Sequence, residues 1–175
     1  LDRRIRDPKR VLQETGVSVV GSIPYTKSAV EQRTLFNFEG DSQQVTSSAV
    51  TEAMRELRTN LQFMDVDNPP RVIVVTSPLP GDGKSTTAAN LAVSLAAAGQ
   101  VTILIDADLR RPTVNEIFGL PAGAGLSDVI AGRAKIEDVA HLPERTKNLI
   151  VLTAGSIPPN PAELLASKRL RELLD

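Results

Sequence analysis

Lys84 sits in the run Ser77-Pro78-Leu79-Pro80-Gly81-Asp82-Gly83-Lys84-Ser85-Thr86, a pattern suited to holding a polyphosphate. Gly81 and Gly83 carry no Cβ, so the backbone there can curl until successive N–H groups point at one anion. Lys84 supplies positive charge for β- and γ-phosphates, and Ser85 a hydroxyl for magnesium. A helix beginning at Lys84 adds the positive end of its dipole, and Asp82 and Thr86 complete the phosphate-binding stretch. The pattern G-x-x-x-x-G-K-[ST] is met except at its first glycine, where Pro78 stiffens the start of the loop. The expected ligand is ATP with Mg2+.

A second acidic run, Asp106-Ala107-Asp108-Leu109-Arg110-Arg111, follows an apolar stretch. In an open parallel sheet, ligands lie at the carboxyl ends of the strands. Adjacent strand ends are therefore expected to bring Asp106 and Lys84 around one pocket. Two carboxylates beside a triphosphate can hold magnesium through water or accept a proton from an attacking hydroxyl. Asp106 and Asp108 join Lys84 as candidate catalytic residues, and Ser85, Asp106 and Asp108 are the candidate metal ligands.

Positioning these groups requires a strand–helix–strand unit. Arg71–Ser77 is a continuous β-branched run of the kind found in central parallel strands. Helix is predicted from Lys84 to about Ala98, closed by Gly99, and strand from Val101 to Asp106. Such a βαβ unit is parallel and right-handed. Short helices are predicted at 112–118, 126–131 and 136–140, a third strand at 148–153, and one or two helices over 161–174. Upstream, Pro8–Thr15 reads as helix with a Gly16 stop, and Val17–Val20 as a strand. The polar stretch 25–46 reads as a mobile linker. Ser47 or Ser48 can cap a helix running to about Met64, with Ala53, Leu57, Leu61 and Met64 on its apolar stripe. The predicted fold is a P-loop α/β domain, a parallel sheet with helices on both faces. It occupies residues 46–175, behind a connecting segment over 1–45.

Composition narrows the function. Apolar residues make up 41% and aromatics 3%, so the core must be built from Val, Ile, Leu and Ala. A net charge of -1 gives no reason to expect nucleic acid as partner. The absence of cysteine excludes thiol chemistry, disulfides and iron–sulfur ligation. No apolar run reaches the ~20 residues that cross a bilayer. The first ten residues hold five basic ones, which suits either a solvated helix start or a position just inside a membrane. The chain opens on Leu1 and stops at Asp175, where another strand could begin, so it is expected to be a piece of something longer. Tyr25, the one tyrosine, reads as a linker aromatic, and His141 as a surface residue without a role.

Taken in order, the motifs resemble the cytoplasmic domain of bacterial tyrosine autokinases of capsule and exopolysaccharide synthesis. Gly16–Pro24 is similar to the segment after that family's second transmembrane helix. Glu52-Ala53-Met54-Arg55-Glu56-Leu57-Arg58 resembles its E-x-x-R-x-x-R oligomerisation motif, and Thr76–Thr86 its P-loop. Ile103–Pro112 is similar to the second Walker segment, with D-x-D-x-R intact, and Gly125–Val129 and Gly155–Leu165 also match. The resemblance implies that Lys84 neutralises the transferring phosphate and Ser85 helps hold magnesium. It further implies that Asp106 receives the tyrosine proton, that Asp108 assists the metal, and that Glu52, Arg55 and Arg58 build a homo-oligomeric ring. Read from spacing alone, those three charges are better taken as a solvated face of local ion pairs. Implied partners are a neighbouring subunit's tyrosine cluster and a membrane co-polymerase segment or activator, at the cytoplasmic face of the plasma membrane. A Walker B aspartate and the tyrosine cluster are expected beyond Asp175.

Two other readings stay open. One is a Min- or partition-type ATPase switch, although the signature lysine of those proteins would fall on Leu79. The other is a non-catalytic, ATP-gated assembly module.

Overall fold

The computed structural model describes residues 7–25, 48–144 and 146–174. Most of the expected linker, and the capping role expected of Ser47 or Ser48, lie outside the described residues. Helix α1 (Pro8–Thr15) begins where Asp7 accepts a hydrogen bond from the Lys9 N–H at 2.9 Å and ends at Gly16. Beyond it, 17–25 is irregular rather than a strand. Its backbone finds a side chain instead of a sheet: Asn60 Nδ2 donates to the Val20 carbonyl at 2.8 Å.

Helix α2 (Ser48–Phe63) packs on α3 (Lys84–Ala97). Val50, Met54, Leu57 and Leu91 form the buried seam, with Val20, Leu61 and Leu95 closing it. The stripe drifts from the expected line, because Val50 and Met54 are buried whereas Met64 is exposed. Helix α3 is rich in alanine. Small side chains let it lie close to the sheet, and Ala89, Ala92, Val93 and Ala96 pack against Leu104, Leu149 and Val151.

The sheet has three strands, β1 (Thr102–Ile105), β2 (Ala140–His141) and β3 (Leu149–Leu152), in the order β1-β3-β2. β1 and β3 are parallel, with Ile103 opposite Ile150 and Ile105 opposite Leu152. β2 runs antiparallel, His141 opposite Val151, so the sheet is mixed and His141 lies in a strand rather than in the expected loop. Side chains alternate across the sheet. Leu149 and Val151 therefore meet α3, while Leu152 packs in a second cluster with Leu109, Leu126, Ile130, Val139 and Ala154. That second face is covered by α5 (Leu126–Ile130), α6 (Ile136–Val139), α7 (Pro161–Leu165) and α8 (Lys168–Leu174). A short helix α4 (Val114–Phe118) lies over the α3 side.

A second expected strand is also missing from the described sheet. Residues 72–77 belong to no strand of the described sheet, and Val72, Ile73 and Val74 are exposed, Val74 at 83%. A β-branched run records that a segment suits a buried strand, but a strand also needs neighbours on which to pair. No described residue pairs with this one. The outer edge of β1 likewise carries no strand among the described residues, and Ile103 is exposed there.

Candidate functional site

The phosphate loop is pre-shaped by its own backbone. Gly81 and Gly83 both lie at φ +87, a region that L side chains rarely adopt, and two such residues let the chain fold over itself ahead of Lys84. The Asp82 carboxylate accepts from the Leu79 N–H at 3.1 Å, and Ser77 Oγ donates to the Leu79 carbonyl at 3.0 Å. These bonds hold the loop's first half without using its glycine amides. At the start of α3, Gly83 offers no side-chain cap, so the first-turn N–H groups keep their donor capacity. That is what an anion at a helix N-terminus requires. Lys84, Ser85 and Thr86 are half-buried in that first turn.

The two aspartates are used differently. Lys84 Nζ pairs with Asp108 Oδ2 at 2.6 Å. Asp108 Oδ1 accepts from the Arg111 and Arg110 N–H groups at 3.0 and 3.3 Å, which fixes the carboxylate in front of the lysine. Asp106 is buried, 4% exposed. Its Oδ1 accepts from the Asp108 N–H at 3.0 Å, and its Oδ2 from the Thr113 and Val114 N–H groups, both at 3.1 Å. Asp106 therefore holds together the turn that aims Asp108 and starts helix α4. This is also why that helix begins at Val114 rather than at Pro112. The Asp106 carboxylate has a lone-pair site left, on Oδ1.

Their surroundings push the two carboxyls apart. Burial raises Asp106 above the ordinary carboxylate range, against the N–H groups of Val114, Asp108 and Thr113, and the Asp108 charge adds to the rise. Partial burial pulls Asp108 up as well. There, however, the Lys84 ammonium and the Arg111 and Arg110 amides outweigh it and leave the group lowered. One acid thus stays charged opposite Lys84 while its neighbour gains basicity, a division that acid–base sites exploit. Among the described residues no cluster of three His, Cys, Asp or Glu could cage a metal. Magnesium suits such a site through one or two carboxylates, a hydroxyl, phosphate oxygens and water.

Sequence reasoning gave no role to Asp128, and the structure makes it a hub. Its carboxylate accepts from the Gly125 and Ser156 N–H groups, both at 3.1 Å, and from Arg133 Nη2 at 2.8 Å. Ser127 Oγ adds a bond to the Ser156 carbonyl at 2.6 Å. The loop after β3 is thereby clamped to α5. Gly125 permits the clamp, since a Cβ there would stand 2.3 Å from the Thr153 carbonyl oxygen. An acid three residues after a helix N-cap is the sequence signal that could have found it. Burial opposes ionisation of Asp128, but the Ser156 amide, Arg133 and the Gly125 amide prevail and lower it to about 2. A depressed carboxyl stabilises the fold above its unfolded value, and that contribution is lost as pH falls from about 3.8 towards 2. Its size is about 2 kcal/mol. Asp128→Ala should therefore unfold at lower urea at pH 7, by about 3 kcal/mol because buried amides lose their acceptor. The gap to the parent should narrow below pH 3.

On α2, Glu52 and Arg55 are exposed and form an ion pair with each other, as local spacing allows. Arg58 does not share their surroundings. It is half-buried, and its Nη1 donates to the Ser94 carbonyl at 2.9 Å.

A glycine-shaped loop opening a helix, with a lysine–aspartate pair at the carboxyl edge of an α/β sheet, defines the class of P-loop nucleotide-binding domains. Comparison with known proteins narrows it. A family model described as "ParA: NUBPL iron-transfer P-loop NTPase" matches residues 68–165. Tyrosine-protein kinase YwqD of Bacillus subtilis is 49% identical over 123 residues, covering 70% of this chain and 52% of that protein. A putative tyrosine-protein kinase, EpsB of Ralstonia solanacearum, is 37% identical over 98% of this chain but only 23% of its own length. Among solved structures, the BceF tyrosine kinase domain superposes with a TM-score of 0.81 at 34% identity, over 97% of this chain and 70% of that one. The kinase domain of Escherichia coli tyrosine kinase ETK gives 0.80 at 30%, over 98% and 68%. The chain belongs to the bacterial tyrosine-kinase family of P-loop proteins. It spans about half of the Bacillus relative and about a quarter of the Ralstonia one.

Proposed function

We propose that this chain is the nucleotide-binding part of a protein-tyrosine autokinase that transfers the γ-phosphoryl group of ATP to tyrosine in chains that make or export capsular or exopolysaccharide. The observation that carries the reading is the Lys84–Asp108 pair of 2.6 Å set at the start of an uncapped helix. Lys84 exchanges part of its contact with Asp108 for phosphate oxygens. The amides of 81–86 bind the phosphate chain, and Ser85 and Asp108 would hold magnesium, which would supply charge neutralisation for the phosphates. Asp106, raised by burial, accepts the tyrosine proton as the phenol oxygen bonds to phosphorus and ADP departs. Glu52 and Arg55 contact a neighbouring subunit in a homo-oligomeric ring, each subunit receiving a neighbour's tyrosine cluster. The parent chain, or a separate membrane activator, holds the ring at the cytoplasmic face of the plasma membrane.

The test is magnesium-ATP titration into the full-length protein, with phosphotyrosine detected on the same sample. Binding with a phosphotyrosine signal that vanishes in Lys84→Met is expected. Phosphate release without phosphotyrosine would favour a Min- or partition-type ATPase, which Leu79 already speaks against. Separately, Arg55→Ala should reduce the mass found by light scattering to that of the protomer. An unchanged mass would remove Arg55 from the subunit contact.

A further inference from the structure

Arg58 is the charged residue of the α2 motif whose surroundings are internal. Besides the Ser94 carbonyl, its Nη1 reaches Ser94 Oγ at 3.3 Å. Its Nε is buried and meets no hydrogen-bond partner among the described residues. Ser94 itself is fully buried. It lies in the last turn of α3, where carbonyls run short of helical donors, and its backbone donor, the Ala98 N–H, stands at 3.3 Å. A cation there also faces the negative end of the helix dipole. Arg58 thus caps the carboxyl end of the helix whose amino end forms the phosphate loop. Elsewhere along α2, Asn60 binds the Val20 carbonyl, and Leu57 packs against Gly21, where a Cβ would stand 3.2 Å from Leu57 Cδ1.

The geometry assigns Arg58 to a joint within the chain: it positions α2, and with it the exposed Glu52–Arg55 pair, on the carboxyl end of the P-loop helix. Its guanidinium is committed there and does not serve a neighbouring subunit. Turning it outward would strip the Ser94 carbonyl and return a buried stem to water. The phosphate loop and the Glu52–Arg55 face then belong to one unit, linked by a helix about 21 Å long. The inference rests on the proposed ring only for its consequence in assembly.

The experiment compares Arg55→Ala, Arg58→Ala and Arg58→Lys in the full-length protein. It reads amide hydrogen exchange over residues 91–98 together with assembly mass by light scattering. Arg58→Ala is expected to speed exchange there at least about tenfold, because a charge-assisted bond at the helix end is lost. Arg55→Ala should leave that exchange unchanged while lowering the mass. Arg58→Lys should restore both slow exchange and assembly. An ammonium can donate one bond to the Ser94 carbonyl, whereas it replaces poorly a guanidinium forked onto a partner's carboxylate. Arg58→Ala with parental exchange but lost assembly would make Arg58 a subunit contact and overturn the joint. Arg58→Lys with parental exchange but lost assembly would do the same, and that arm stays readable if the alanine variant fails to fold. Full assembly in Arg55→Ala would sink the ring through α2, leaving the joint to stand on exchange alone.

Discussion

Lys84→Met is expected to weaken magnesium-ATP binding by at least about 10²-fold, measured by calorimetric titration, while leaving the fold intact. The size follows from what the side chain offers. A hydrogen bond to a charged group contributes roughly 1.5–3 kcal/mol, and an ammonium between two phosphates makes more than one. The fold should survive for three reasons. The Lys84–Asp108 pair is partly exposed, with side-chain exposures of 33% and 21%, so its contribution to stability is on the order of 1 kcal/mol or less. Asp108 keeps the Arg111 and Arg110 amides when the lysine is gone. Methionine also retains most of the apolar stem. Asp108 loses the partner that lowers it, so its titration should move up in the variant. Unchanged affinity in a folded Lys84→Met protein would mean that the loop does not bind phosphate in the way its shape implies.

The parts of this fold that the sequence disclosed are those specified locally. Helix α3 begins at Lys84 because the loop before it needs glycines and the alanine-rich stretch after it favours helix. Strands β1 and β3 appear within a residue or two of their β-branched runs. What stayed hidden depends on partners distant in the chain. Val17–Val20 has the composition of a strand, but Asn60, 40 residues away, claims the Val20 carbonyl. Residues 72–77 have strand chemistry without a described neighbour to pair with. At the site, spacing could place both aspartates at the strand end. It could not tell that Asp106 would turn inward to three amides while Asp108 faced Lys84, because that choice is made by the path of residues 107–114. Arg58 is the same lesson on a helix. Its motif spacing matches that of Glu52 and Arg55, yet one buried carbonyl on α3 draws it inward.

Asp106→Asn should cut phosphoryl transfer by a factor on the order of 10² or more, the usual size for a lost base, while largely sparing nucleotide binding. Binding is spared because the hydrogen bonds of Asp106 run to the 108–114 turn rather than to Lys84 or the loop. The structure adds a cost that spacing could not supply. An amide has one oxygen, so it can serve the Thr113 and Val114 donors or the Asp108 donor but not both, and its NH2 must face a backbone N–H. The better orientation still strands one donor, which costs about 1–3 kcal/mol. Part of that is recovered at neutral pH, because the parent carboxylate is itself opposed by burial. A raised carboxyl gives stability that is fully present below its unfolded value near 3.8 and is lost as pH rises through the folded one. The neutral amide has no such dependence, so the stability gap between parent and variant should be wider at pH 3.5 than at pH 7 in matched urea titrations. Asp108→Asn makes the contrast: it keeps an oxygen for the Arg111 amide and should barely alter stability, yet it should weaken magnesium-dependent binding. If Asp106→Asn transfers phosphate at the parental rate, Asp106 is a clamp alone, and the proton must leave by another group at the same strand edge.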